Sequence, residues 1–456
     1  MNFLSSIFKL NDIRGIYPTE LNEEVAYRIG RSLVKLLNCK NIAVGRDIRL
    51  SSKSLFDGLT KGIIESGCNV INLGLISTDA LYYVMGNSSY DCGVMITASH
   101  NPPQFNGFKI VKKGGIMLYE DNGLKDLEDL VLNMDLNEKS STLGQIISLD
   151  IKQEFINYLL SFINKEGIKS LYFGIDTSNG MAGLFIRDLL NQLPVRFEII
   201  NENLDGSFPN HLPDSFKKES WEQISNLIKN KKLDFGVVFD GDADRISFFD
   251  EKGEYIDSSV IAILIINNLL KNNSQKAIII DSVLSPLIEE KIKQLKGVPI
   301  RTKIGHSFMK NSMRENDALF GAEHSGHYYY KKHFYCDSGM ITLLMMIQIL
   351  SKNDKPLSLL KKEINPHVMI SEINYLKTED YKEKLKLIED YYQSTCLIEH
   401  FDGLIITGKG FRIHIHPANT GPFIRINLEA ENNKILEEKN NELNNLFSRF
   451  NFQLAQ

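Results

Sequence analysis

Two segments of this 456-residue chain gather residues that could move or hold charge. The first is Thr97-Ala98-Ser99-His100-Asn101-Pro102-Pro103, fed by the apolar run Val94-Met95-Ile96. Pro102 and Pro103 forbid a helix start and impose an extended loop. Ser99 is therefore expected at a strand end with its hydroxyl exposed. Gly107-Phe108-Lys109 returns as a strand and would bring an ammonium back near that serine. Alone, this segment reads equally well as an ordinary Ser/Asn/Pro turn. The second is Asp240-Gly241-Asp242-Ala243-Asp244-Arg245, after the apolar residues 235–239. Three carboxylates this close repel one another unless a cation joins them. Helix geometry points i and i+2 apart, so convergence needs a loop, which Gly241 allows. Hard oxygen ligands suit Mg²⁺ or Ca²⁺. An EF-hand would need Gly at the sixth loop position, where Arg245 stands, and a helix before it, where the pattern is a strand. A Mg²⁺ loop is the expectation.

Two further segments offer polar groups. They are Arg301-Thr302-Lys303-Ile304-Gly305-His306 and Gly321-Ala322-Glu323-His324-Ser325-Gly326-His327. Zinc on His324 and His327 would lack a third soft ligand grouped with them. A glycine-flanked loop offering Glu, Ser and His suits a polyol, because a carboxylate accepts from two hydroxyls at once. Taken singly, that loop reads as ordinary surface.

The elements that must position these loops are legible in outline. Short apolar runs at 42–44, 172–175 and 277–280 each stop at a polar cluster, as buried parallel strands do. Apolar residues at three- and four-residue spacing predict helices over 23–37, 54–66, 154–162 and 343–350. Strands alternating with helices indicate an α/β protein. Residues 131–143 are polar and irregular and separate a first unit from a second. Residues 250–254 read as a hairpin turn opening a third, and 351–356 as a turn before the last. The last unit looks α+β, with strands near 403–406, 412–415 and 423–428 and a helix over 436–450. A hinge is expected near 353–356.

Composition narrows the function classes. The hydrophobic fraction is 43% and the charged fraction 24%, both ordinary for a folded soluble protein. Lys plus Arg is 52 against 57 Asp plus Glu, a net charge of −5, which argues against a nucleic-acid coat. The five cysteines form no C-x-x-C pair and read as buried thiols of a reducing cytosol. The longest apolar run, residues 260–266, is too short to span a bilayer. A cytoplasmic protein with no membrane or nucleic-acid partner is expected.

Taken together and in order, the segments resemble the α-D-phosphohexomutases, the phosphomannomutase and phosphoglucomutase enzymes. The resemblance covers nearly the whole chain. It begins at Phe8-Lys9-Leu10-Asn11-Asp12-Ile13-Arg14-Gly15 and passes through the Ser99 loop, Asp205-Gly206-Ser207-Phe208-Pro209-Asn210, the Asp loop, and the Lys303 and Glu323 segments. It ends at Asn419-Thr420-Gly421-Pro422 and Arg425. The fold it implies is three similar mixed α/β domains around a central cleft plus a smaller C-terminal α+β domain, divided here as 1–145, 146–249, 250–356 and 357–456. It implies that Ser99 is a phosphoserine and that Asp240, Asp242 and Asp244 bind Mg²⁺ together with an oxygen of that phosphate. His100, Lys109, Arg245, His306 and His327 would surround the transferring group. Glu323 and Ser325, with Lys303, would recognise the sugar, and Arg14, His416, Asn419, Thr420 and Arg425 the non-reacting phosphate. The activity implied is reversible transfer of a phosphoryl group between C6 and C1 of mannose or glucose phosphates. A hexose 1,6-bisphosphate would be both intermediate and activator, and the enzyme a monomer or homodimer.

The chain departs from the family pattern in three places. His416 and Ala418 replace an Arg and a Ser of the phosphate loop, and His cannot reproduce the permanent bidentate fork of Arg. Asn11 stands for a Tyr. Val283 stands where a cation is often found. Two competing functions share these residues: a Mg²⁺-dependent sugar phosphatase with water as acceptor, and a non-catalytic sugar-phosphate sensor.

Overall fold

The computed structural model describes residues 5–134, 140–364, 367–418 and 423–455. Its described strands form four sheets. The first has seven strands, in the order Ile13–Ile16, Phe105–Lys112, Cys92–Ile96, Asn41–Arg46, Asn69–Leu75 and Ile146–Ser148, with Ile116–Met117 beside Phe105–Lys112. The second runs Tyr255–Ile256, Ile246–Phe249, Phe235–Phe239, Tyr172–Asp176, Arg196–Ile200. The third runs Val298–Thr302, Ala277–Asp281, Phe320–Ala322, Tyr328–Tyr330, Cys336–Asp337. The fourth, Val368–Leu376, Phe423–Ala430, Phe411–Pro417, Leu404–Gly408, Leu397–His400, is antiparallel throughout and carries the helices Tyr381–Tyr392 and Asn433–Arg449.

One device recurs in the first three sheets. A strand buried along its whole length ends in a polar loop, and an antiparallel strand returns beside it. Cys92–Ile96 leads to Ser99 and Phe105–Lys112 returns. Phe235–Phe239 leads to the Asp loop and Ile246–Phe249 returns. Phe320–Ala322 leads to Glu323 and Tyr328–Tyr330 returns. Each functional loop thus leaves the carboxyl end of a strand, where open α/β sheets bind ligands.

Packing joins these three units closely. A single cluster of buried side chains runs from Ala43 through Phe155, Phe239 and Ile280 to Leu360, so the three α/β units share apolar contacts. The C-terminal unit has its own core, from Tyr375 to Phe452. In the first unit the helices Glu23–Leu37 and Ser52–Glu65 approach through glycines. A Cβ on Gly30 would lie 2.3 Å from Leu59 O, and one on Gly62 would lie 2.2 Å from Tyr27 O. The expected run 260–266 lies in the helix Ser258–Leu270, buried on nearly every side. No helix among the described residues is long and apolar enough to cross a membrane.

The unit boundaries differ from those expected. Ile146–Ser148 pairs with Asn69–Leu75, so the first sheet continues past 145. The turn at 250–254 closes the second sheet rather than opening the third, because Tyr255–Ile256 pairs back onto Ile246–Phe249. Beyond the turn at 351–356, the helix Leu357–Ile364 buries Leu357 and Leu360 in the shared core, against the helix Ser258–Leu270. It therefore stays with the third unit, and the expected hinge at 353–356 lies inside that unit.

Candidate active site

The Ser99 loop is held from behind. Buried Arg49 directs its Nη1 to Pro102 O and Phe105 O and its Nη2 to Ser99 O and Asn101 O, at 2.6–3.0 Å. Its Nε lies 3.2 Å from Asp47 Oδ2. Ser99 has a φ of 50°, a left-handed conformation that this collar imposes on a non-glycine residue. Its side chain is buried, not exposed as the loop sequence suggests, because the Asp loop closes over it. Gly241 passes so near that a Cβ there would lie 2.5 Å from Ser99 O. Ser99 Oγ donates to Asp240 Oδ2 at 2.8 Å, and His100 Nδ1 lies 3.4 Å from the same Oγ.

Asp240, Asp242 and Asp244 are fully buried and each offers a carboxylate oxygen within 4.8 Å of the others. Lys109 Nζ bridges two of them, 2.7 Å from Asp242 Oδ2 and 2.5 Å from Asp244 Oδ2. Thr78 Oγ1 donates to Asp242 Oδ2 at 2.5 Å. Asp242 Oδ1 is buried with no hydrogen-bond partner among the described residues. Three buried carboxylates, with Asp242 Oδ1 and Asp244 Oδ1 accepting no hydrogen bond among the described residues, fit a hard divalent cation. Burial, then the like charges of Asp242 and Asp244, push the Asp240 pKa well up. Burial also acts on Asp244, but Lys109 and His327 outweigh it and hold that pKa well down.

The third unit closes the site. Arg245 Nε lies 3.2 Å from His327 Nε2 and 3.9 Å from Asp240 Oδ2. Burial and Arg245 oppose a charge on His327, yet Asp244 and Glu323 prevail and raise its pKa to about 9. In that protonated state both ring nitrogens carry hydrogen, so the Arg245 approach is a contact of two cations between carboxylates. Ser325 Oγ lies 2.9 Å from His327 Nδ1. Glu323 accepts from Gly305 N–H at 2.9 Å and from the Tyr329 hydroxyl at 2.5 Å. His306 starts the helix His306–Glu315; burial, then Lys310 and Lys109, push its pKa well down. His100 is likewise held low by burial, Arg245 and Arg14.

Lys109 returns on its strand to the carboxylates of the Asp loop. Arg14 stands beside Ser99: its strand pairs with Phe105–Lys112, in register with Gly107, and its guanidinium reaches Ala98 O (3.2 Å) and Asn101 Oδ1 (2.7 Å). Lys303 is exposed, 5.9 Å from the Phe308 ring. His324 turns away from His327 to Asp281, with Nδ1 2.6 Å from Asp281 Oδ2. His416 and Arg425 are cross-strand partners in the fourth sheet, while Asn419 and Thr420 lie outside the described residues. Sequence reasoning missed Arg49 and Thr78. Arg49 had a signal, as the first arginine after the strand end Gly45-Arg46-Asp47.

A serine loop from the first unit, a carboxylate trio from the second and the 323–327 loop from the third meet among Arg14, Lys109 and Arg245, an arrangement that defines a phosphoryl-transfer class of site. Comparison with known proteins makes this specific. Family profiles described as phosphoglucomutase/phosphomannomutase alpha/beta/alpha domains I, II and III match residues 5–138, 153–253 and 257–367. The chain is 33% identical over 450 residues to a phosphomannomutase of Methanocaldococcus jannaschii, covering 98% of this chain and 99% of that one. It is 34% identical to a phosphomannomutase of Vibrio cholerae, covering 97% and 98%. A crystal structure of a phosphoglucomutase/phosphomannomutase family protein from Burkholderia thailandensis superposes with a TM-score of 0.89 at 26% identity, covering 98% of this chain and 97% of the other. The chain belongs to the phosphoglucomutase/phosphomannomutase family, the α-D-phosphohexomutases, and is a phosphohexomutase, an isomerase.

Proposed function

We propose that this phosphohexomutase interconverts mannose 6-phosphate and mannose 1-phosphate, and also glucose phosphates, through a phosphate carried on Ser99. The observation that carries the proposal is the Ser99 hydroxyl resting 2.8 Å from Asp240 at the mouth of the buried carboxylate trio. The relatives named phosphomannomutase favour mannose. Mg²⁺ held by Asp240, Asp242, Asp244 and a Ser99 phosphate oxygen would offset charge on the equatorial phosphoryl oxygens.

The chain's own groups divide the remaining work. The bond from phosphorus to Ser99 Oγ breaks as one forms to a hydroxyl oxygen of the hexose phosphate. The hydroxyl proton needs a base, and Lys109 and His327 are held charged by their carboxylates. The neutral imidazole of His306 is the acceptor, and His100 stands beside Oγ as the phosphoryl group leaves. Arg245 and Lys109 stabilise the charge that develops. Glu323 keeps lone pairs free for the sugar hydroxyls at C3 and C4 while Gly305 and Tyr329 fix its direction. The resulting 1,6-bisphosphate turns over in the cleft and returns its other phosphoryl group to Ser99, so added bisphosphate activates. At the distal end burial, with His416 and Arg412 beside it, pushes His414 down to about 3, and Arg412 donates to Ser282 O. In this reading Arg425 and His416, cross-strand partners in the fourth sheet, bind the distal phosphate.

A coupled assay with mannose 1-phosphate and glucose 1-phosphate, with and without Mg²⁺ and bisphosphate, tests this. Isomerisation should require Mg²⁺, and intact mass should show one phosphate on Ser99. Ser99→Ala should lower turnover by on the order of 10³-fold or more. Free phosphate without isomerisation would establish the phosphatase reading instead, and binding without turnover the sensor reading.

A further inference from the structure

The seam between the third and fourth units converges on one side chain. Asp402 sits in the turn before the strand Leu404–Gly408. Its Oδ2 accepts from Ser282 Oγ at 2.8 Å and from Ile304 N–H at 2.8 Å. Both donors belong to the third unit, and both adjoin residues that hold the 323–325 loop. Asp281, next to Ser282, accepts from His324 N–H at 2.9 Å and lies 2.6 Å from its Nδ1. Gly305, next to Ile304, donates its N–H to Glu323 Oε1 at 2.9 Å. Two short branches therefore run from a single carboxylate of the C-terminal unit to two successive residues of the loop that faces the cleft.

The turn that carries Asp402 is tied closely to its own sheet. Asp402 has a φ of 54°, and Gly403 a φ of 120° with its Cβ position 2.3 Å from Ile415 O. His414 Nε2 lies 3.0 Å from Asp402 O, and Arg412 reaches across to Ser282 O at 2.7 Å. The carboxylate is thus fixed to the sheet that bears His416 and Arg425.

We propose that Asp402 is a positioning residue that sets the sugar-recognition loop in register with the distal-phosphate sheet, so that one hexose phosphate is held correctly at both ends. The proposal rests on the reading of Glu323 as a sugar ligand. Its effect is on binding in ground and transition states alike, so it should appear in KM more than in kcat.

The test is steady-state mutase kinetics on the full chain. Asp402→Gly removes the carboxylate while keeping a residue at ease with positive φ. It should raise KM for the hexose phosphate about 10-fold or more, as loss of charge-assisted hydrogen bonds does, with kcat within about threefold. Asp402→Asn keeps an acceptor and tolerates the left-handed turn, and should recover most of that loss. Ser282→Ala should raise KM alone but add little in the Asp402→Gly background. Unchanged KM in Asp402→Gly overturns the proposal. So does an Asn variant as impaired as the Gly variant with kcat and melting temperature falling together, which marks general damage. Glu323→Gln is run in parallel: if it leaves KM unchanged, the sugar-ligand reading itself fails.

Discussion

Arg49 and Ser99 make one structural unit, although fifty positions separate them. Four carbonyls of the 99–105 loop converge on one planar guanidinium, a fork that an ammonium cannot reproduce. Arg49→Lys should therefore lower turnover by about 10- to 100-fold and destabilise the fold by about 2–3 kcal/mol, measured by the coupled assay and urea unfolding. His333 gives a second residue-scale expectation. It is buried at the junction of three units, 3.1 Å from the Tyr158 hydroxyl, with Tyr82 and Phe334 around it. Burial, then Lys310, pushes its pKa from 6.5 down to about 3. A histidine kept neutral in the fold contributes fully above its unfolded pKa near 6.5, and that contribution is lost steadily as pH falls towards 3. Unfolding free energy should thus drop by about 1.4 kcal/mol per pH unit below 6.5 for this group, and His333→Phe should flatten the slope by that amount.

At the scale of elements, the loop-bearing strands were legible because strands buried on both faces are near-continuous apolar runs. The four helices read from periodicity match Glu23–Leu37, Ser52–Glu65, Lys152–Leu160 and Gly339–Ser351 to within a few residues at each end. The strand Val368–Leu376 and the helix Tyr381–Tyr392 gave no comparable signal, since polar residues interrupt their apolar ones. The close approach of Glu23–Leu37 and Ser52–Glu65 was equally invisible, because glycine signals many things in a sequence and only the partner helix shows which. Gly62→Ala places a methyl 2.2 Å from the Tyr27 carbonyl oxygen and cannot be absorbed by a side-chain rotation. It should destabilise by about 1–3 kcal/mol in urea unfolding, while KM stays within about twofold because the helix pair lies outside the site.

At the scale of the whole molecule, the C-terminal domain packs around a core of its own. Apolar contacts run through the three α/β domains, whereas the fourth is tied to the third by polar contacts among the described residues: Asp402 to Ser282, Arg412 to Ser282 O, and Glu429 to Ser285. The single tryptophan, Trp221, stacks on Tyr255 at 4.5 Å in the second domain. Urea unfolding followed by far-UV circular dichroism should show a C-terminal transition that Trp221 fluorescence does not report. Coincident single transitions would show that the polar seam is strong enough to unite them. The net charge of −5 also acquires a distribution at this scale. Arg14, Lys109 and Arg245 line the site around three acidic residues, so a near-neutral total conceals a cationic rim over an anionic floor.

The sequence by itself determined the local chemistry: which residues carry charge, which loops leave buried strands, and which family order they follow. Such information lies in short windows, where residue type and period suffice. Only the tertiary structure decided where each side chain is directed. It buried the Ser99 hydroxyl against Asp240, set Lys109 on Asp242 and Asp244, placed Arg14 beside the Ser99 loop, and directed His324 to Asp281. It also carried the second sheet past its expected end. Those outcomes depend on strand pairing and on contacts between residues far apart in the chain, which no local pattern encodes.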